Sequence, residues 1–307
     1  MNYTPLARFG RRLVGAALGL LLVAAALPQP ASAFAADESA PAGPALWVVK
    51  DQDSTIYLFG TVHVLRPETQ WRRPEITAAF EAASELWLEV ADVDDQAAAV
   101  PLVQKYGLSP DTPLLDRLET RDLNRLSLAS HDLGVPMAAL NPYQPWFAAV
   151  TLSMTPVAKA GYDPQSGVEL ILKAEADEAG KTVRGLETME EQFQILSGMS
   201  DEAQLAFLSQ TLEDYAGAVA LLDGIVADWA AGDIEDIDQA VGAEMAREAP
   251  GVYRAMLADR NADWAEQIDA MLDGSGTAFI AVGAGHLTGA DSVQAYLAKR
   301  GIATERL

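Results

Sequence analysis

Ile56-Tyr57-Leu58-Phe59-Gly60-Thr61-Val62-His63 and Ala278-Phe279-Ile280-Ala281-Val282-Gly283-Ala284-Gly285-His286 repeat one local frame at opposite ends of the chain. Each is an apolar, strand-like run that meets a glycine, passes two further residues and ends on histidine. The chain holds only 3 histidines, and two of them occupy this frame. A strand that ends in Gly-x-x-His delivers an imidazole to the carboxyl edge of a sheet, where open α/β sheets carry their sites. The fold is therefore expected to bring His63 and His286 together, with the rings within roughly 8 Å, the span of two ligands on one ion.

Working outward, Leu46-Trp47-Val48-Val49-Lys50 and residues 55–59 read as two strands joined by Asp51-Gln52-Asp53-Ser54, a β-hairpin. Pro74 opens a helix with Ile76, Ala79, Phe80 and Ala83 at helical spacing, and residues 86–90 form a short buried strand. Strand–helix–strand order implies a parallel pair with a right-handed crossover. Residues 92–135 read as helices broken by Gly107, Pro110 and Pro113, and residues 137–140 as another strand. A helix follows Pro145, residues 161–167 form a loop, and residues 168–179 make a helix stopped by Gly180. Residues 181–186 read as a strand, residues 188–273 as mostly helical, residues 277–282 as the last firm strand and residues 292–299 as a helix. Residues 302–304 are expected to close the sheet at an edge. The fold class is α/β: a mixed sheet with a parallel core, an N-terminal β-hairpin and a large helical insertion at about residues 188–273.

The amino terminus carries an address. Arg8, Arg11 and Arg12 precede an apolar run from Leu13 to Leu27, then Pro28, Pro30 and Ala31-Ser32-Ala33. This is the layout of a secretory signal peptide covering residues 1–33. The run is shorter than the roughly 20 residues of a bilayer span; an uncleaved anchor is the competing reading. Residues 34–45 read as a disordered leader, and residues 46–307 as the domain. A periplasmic or secreted location follows, with no stable membrane span after cleavage.

The chain has 21 Lys+Arg against 44 Asp+Glu, and the segment to Ala33 holds three of those arginines and no acid. Such a surface repels nucleic acid and anionic lipid, so neither is expected as a partner. There is no cysteine, so any metal must be held by histidine, carboxylate or backbone oxygen.

Four polar side chains stand at the ends of apolar strands: His63, Glu89, Glu187 and His286. A glutamate in a buried strand is costly unless it is paired, protonated or coordinating. Two imidazoles and one or two carboxylates suit a divalent ion, with zinc, manganese, iron and cobalt all compatible. His63, His286 and Glu89 are the candidate ligands, and Glu89 or Glu187 the candidate proton acceptor from a bound water. Gly60, Gly283 and Gly285 would permit close approach and unusual dihedrals. Arg254, Arg260 and Asn261 are candidates for orienting a substrate carboxylate. His131, in Ser130-His131-Asp132, reads as a surface residue.

The chain resembles the TraB/GumN family, which is related to the Tiki metalloproteases. The resemblance rests on Leu46-Trp47, the run from Tyr57 to His63, Leu88-Glu89, Gly167-Val168, Gly180-Lys181, Leu186-Glu187-Thr188 with Glu191-Gln192, Arg260-Asn261 with Trp264, and Val282-Gly283-Ala284-Gly285-His286-Leu287 with Gly289. It implies a metal-dependent hydrolytic site at His63, His286, Glu89 and Glu187, and a peptide or protein substrate. The expected function is an exported metal-dependent hydrolase, a peptidase first, using zinc, manganese or cobalt. One alternative is a non-catalytic periplasmic metal-, haem- or peptide-binding protein. The other is a partner-interaction module that works through the acidic helical insertion.

Overall fold

A computed structural model describes residues 43–307. The expected signal peptide and most of the expected leader lie outside the described residues; Pro44 and Ala45, at the end of that expected leader, are already buried against the domain. Among the described residues, no helix is long and apolar enough to cross a membrane.

A six-stranded mixed sheet organises the molecule. Its strands are β1 (Leu46–Lys50), β2 (Ser54–Thr61), β3 (Glu85–Val90), β4 (Thr182–Glu187), β5 (Gly276–Gly283) and β6 (Glu305–Arg306), in the spatial order β4-β3-β5-β2-β1-β6. β4, β3, β5 and β2 run parallel; β1 and β6 are antiparallel additions at one edge. The hairpin, the parallel core and the mixed character match the sequence expectation. One relation differs: β2 and β3 are parallel but not neighbours, because β5 lies between them and pairs with both. The run Phe279-Ile280-Ala281-Val282 is apolar on both faces, the pattern of a strand covered on both sides, so it takes the centre.

Alternate side chains of the strands feed two cores. Phe59, Phe279, Ala281, Leu86 and Leu88 face α1 (Pro74–Ala82) and α4 (Val168–Glu178). Ile56, Leu58, Ile280 and Val282 face α8 (Asp259–Leu272) and α9 (Val293–Lys299), where Trp264, Ile268 and Leu297 meet them. Burying a side chain such as Phe279 contributes roughly 2–3 kcal/mol. A third core is wholly helical and joins α2 (Thr120–Leu133), α3 (Pro145–Lys159), α5 (Met189–Ser197) and α6 (Asp201–Asp214) through Leu126, Trp146, Phe193 and Leu208. α7 (Ala218–Ala231) returns the chain to the sheet, and Trp229 on it donates its indole N–H to the Gly60 carbonyl at 2.7 Å.

Two short expectations are corrected. Met137–Leu140 is a 3-10 turn, not a strand. Its backbone closes locally, with Ala139 N on Pro136 O and Asn141 N on Ala138 O. The closing edge strand is Glu305–Arg306, just beyond residues 302–304; it pairs with Trp47 and Val48.

Candidate functional site

Strand register builds the site. Thr61 pairs with Gly283, and Gly60 with Val282, so the two Gly-x-x-His segments leave adjacent parallel strands at one level. Leu88 pairs with Ala281, and Val90 with Glu187, which brings Glu89 and the end of β4 to the same carboxyl edge. None of Gly60, Gly283 and Gly285 takes a positive φ; their role is close approach, and the expected unusual dihedrals are absent. A methyl on Gly60 would meet the Ala284 Cα at 3.1 Å, and one on Gly285 the Val241 Cγ1 at 3.1 Å. A methyl on Gly283 would stand 3.1 Å from Glu89 Oε1, 3.2 Å from His63 Nε2 and 3.6 Å from His286 Cδ2. The two imidazoles therefore border one spot beside Gly283, inside the roughly 8 Å expected of a shared ion.

The strand-end residues reach a cavity of about 90 Å³ walled by His63, Glu89, Arg260, Gly283 and His286, with Leu222, Ile225, Val241, Met256 and Leu257 as its apolar side. His286 and Glu89 are buried, and Arg260 and Asn261 with them. Arg260 sits at the centre of the polar group. Its guanidinium donates to Glu89 Oε2 at 2.7 Å, to Glu187 Oε2 at 3.0 Å and through a second bond to Glu187 Oε1, to the Met256 carbonyl at 3.1 Å and to His286 Nε2 at 3.1 Å. Its face lies on the Trp264 ring, 4.6 Å from the centroid. Gln192 bridges Glu89 Oε2 and Glu187 Oε1 at 3.1 and 2.8 Å. Glu187 itself does not line the cavity; it stands behind Arg260.

Hydrogen bonds set the tautomers. Asn261 spends its amide N–H on the Asp291 carbonyl at 2.8 Å, so its Oδ1 accepts from His286 Nδ1 at 2.6 Å. His286 Nε2 then carries a lone pair, which receives Arg260. His63 Nδ1 donates to Glu169 Oε1 at 2.8 Å, and the Thr61 hydroxyl donates to the same oxygen. His63 Nε2 is left facing the spot beside Gly283.

The surroundings push the two imidazoles apart. Burial, then the Arg260 charge, lowers His286 to about 3, so it is neutral. Burial also works against charge on His63, but the Glu169 carboxylate outweighs it and raises the ring to about 9. Glu89 falls to about 2: burial opposes its charge, and Arg260, the histidines and the Gly283 N–H at 2.8 Å overcome that. Glu187 is raised, by burial first, despite its bonds to Arg260. Titratable groups driven in opposite directions in one cleft are the signature of acid–base and ligand sites.

Of the sequence candidates, His63, Glu89, His286, Arg260, Gly283 and Gly285 meet in the cavity, with Glu187 and Asn261 in direct contact with its members. Arg254 does not join them; it is exposed and pairs with Asp259 at 3.4 Å. His131 is exposed at the end of α2. Sequence reasoning missed Glu169 and Gln192. Glu169 sits in the first turn of α4 next to Gly167-Val168, where an acid reads as an ordinary dipole partner. Its burial, at 4 % exposure, is the signal a single sequence hides.

Whether a divalent ion fits can be judged from the donors. His63 Nε2, Glu89 Oε1 and the Cδ2 edge of His286 border one spot, while His286 Nε2 accepts from Arg260, and His63 has a carboxylate on its far nitrogen, the usual support of a metal-ligating imidazole. Among the described residues no three His, Asp or Glu side chains form a ready cage, since Arg260 stands among them as internal cation. By residue type, imidazole and carboxylate suit zinc, manganese or cobalt, and His286 Nε2 would have to leave Arg260 to join them.

The profile of the TraB/PrgY/gumN family matches residues 45–306. An uncharacterized protein of Treponema pallidum (strain Nichols) is 23% identical over 270 residues, 83% of this chain and 80% of that protein. The uncharacterized protein YbaP of Escherichia coli (strain K12) is 23% identical over 248 residues, 80% of this chain and 89% of its own. YbaP of Shigella flexneri is 26% identical over 176 residues, 57% and 64% of the two chains. No solved structure matches at a significant level. The match of the family profile spans both histidine motifs, both strand-end glutamates and the Arg260-bearing helix: this chain belongs to the TraB/PrgY/gumN family.

Proposed function

We propose that the chain is an exported metal-dependent hydrolase, acting as a peptidase, with the carboxyl-edge cavity as its active site. The observation that carries this reading is the meeting of His63 Nε2, Glu89 Oε1 and the His286 ring around one spot beside Gly283. These three residues would hold the ion. Bound there, zinc, manganese or cobalt would polarise a carbonyl and bring a water's pKa towards neutrality.

The chain's own residues prepare the rest. Asn261 fixes the His286 tautomer that points a lone pair inward. Glu169 does the same for His63 by taking its Nδ1–H, and the ring gives up its Nε2 proton when it binds a cation. Arg260 keeps Glu89 ionised and therefore able to ligate or to accept a proton. Glu89 faces the cavity and serves as the carboxylate ligand; Glu187 holds Arg260 from behind. Arg260 also forms part of the cavity wall, its donors all spent on Glu89, Glu187, His286 and the Met256 carbonyl. The apolar side, from Leu222 to Leu257, limits water.

The second reading is a binder without turnover. It is supported by the saturation of Arg260, which leaves the polar group complete without a substrate. Haem suits the cavity poorly: about 90 Å³ is far below the roughly 300 Å³ where organic-ligand pockets begin.

Metal analysis of the purified chain without residues 1–33, together with hydrolysis of a peptide library with added manganese, cobalt or zinc, separates the readings. The hydrolase is expected to hold a stoichiometric ion and cut peptides, and His63→Ala with His286→Ala to lose both. Undiminished cleavage in the double variant would sink the proposal. Bound metal without turnover of any peptide would establish the binder.

A further inference from the structure

The cavity beside Gly283 has room for an ion and a few water-sized groups, not for a length of polypeptide. A larger groove of about 750 Å³ lies in the helical layer between α6 and residues 244–255. Small residues open it from both walls, among them Ala206 on α6 and Ala255 opposite. Its charged lining is Glu202, Glu244 and Glu248, with no lysine or arginine among the described residues. Arg247 pairs with Glu244 and Glu248 at 3.7 and 2.9 Å from outside the groove, which leaves the lining net acidic. The groove and the catalytic cavity share a wall: the π-helical turn Arg254–Ala258 gives Ala255 to the groove and Met256 to the cavity.

We propose that this groove docks an apolar, positively charged segment of a polypeptide. Volume and small walls admit apolar side chains, and the carboxylates favour lysine or arginine beside them while repelling anionic lipid and nucleic acid. The shared wall makes the docked chain the substrate; that identification rests on the hydrolase reading, whereas the docking does not.

The test is fluorescence anisotropy of labelled peptides of equal length, one of leucine and lysine, one of leucine and glutamate, added to the chain without residues 1–33. The Leu/Lys peptide is expected to bind, less tightly at high salt, and the Leu/Glu peptide not to bind. Ala206→Trp, which fills the groove from an exposed helical position, and Glu202→Gln with Glu248→Gln, which removes charge at constant volume, should each weaken binding about tenfold. His63→Ala with His286→Ala should bind as the wild type does. Binding unmoved by both groove variants, or equal binding of the Leu/Glu peptide or of anionic phospholipid vesicles, overturns the proposal. In hydrolysis of the Leu/Lys peptide, Ala206→Trp should raise KM about tenfold with kcat kept. An unmoved KM would overturn the substrate assignment. Normal docking with no hydrolysis by any form would instead refute the hydrolase reading and leave the groove standing.

Discussion

At the scale of single residues, two histidines in the same sequence frame hold different charge states, one cationic and one neutral. His63 is raised to about 9 because the Glu169 carboxylate outweighs its burial, and His286 is lowered to about 3 by burial first and then by the Arg260 guanidinium. His63 therefore adds stability in full below its ordinary value of 6.5, and that contribution is lost as pH rises through about 9. Glu169→Gln removes the carboxylate while burial persists. In metal-free protein the His63 ring should then titrate below 6.5, followed by NMR of a chain with only 3 histidines, and stability at neutral pH should fall by about 3 kcal/mol. A His63 that still titrates near 9 would refute the pairing. The histidines and strand-end glutamates were legible because polar residues at the ends of apolar runs break a strong pattern. Glu169 was not, since nothing local separates a buried helix-start acid from an exposed one. The clamp on Arg260 was invisible as well: its partners Glu89 and Glu187 are on other elements.

At the scale of elements, register does the assembling, and the two motif glycines serve it differently. Gly60 lies against the backbone of Ala284, which cannot give way, while Gly283 faces side chains of the site. Gly60→Ala is expected to cost about 1–3 kcal/mol and to lower the thermal midpoint with little selective effect on the site. Gly283→Ala should keep the midpoint nearly unchanged and abolish metal uptake, because its methyl would occupy the spot that His63 and Glu89 border. Melting curves and metal content of both variants check this; equal melting losses would contradict it. The strands were legible from apolar alternation, and so was the hairpin. Their order was not: that β5 enters between β2 and β3 depends on which strand needs cover on both faces. The turn Met137–Leu140 was misread for a related reason, since four apolar residues after a proline suit a 3-10 turn as well as a strand.

At the scale of the whole molecule, two cores sandwich the sheet and a third is purely helical. Local opening should follow that division. Amides of β5, which is bonded on both sides and buried on both faces, are expected to exchange slowest of all, and those of α6 and residues 244–258 markedly faster. Hydrogen exchange by mass spectrometry would show it, and equal protection throughout would count against separate units. The central place of β5 has a further consequence for a chain made from its amino terminus. β2 pairs with β1 and β3 with β4, yet β2 and β3 do not pair with each other; residues 276–283 join the two pairs. Until the ribosome has released almost the entire polypeptide there is no continuous sheet, and Gly60 and Thr61 lack Val282 and Gly283, the partners that set the two histidine segments at one level. β5 is thus the strand that joins two halves into one sheet, and of the strands only β6 follows it along the chain.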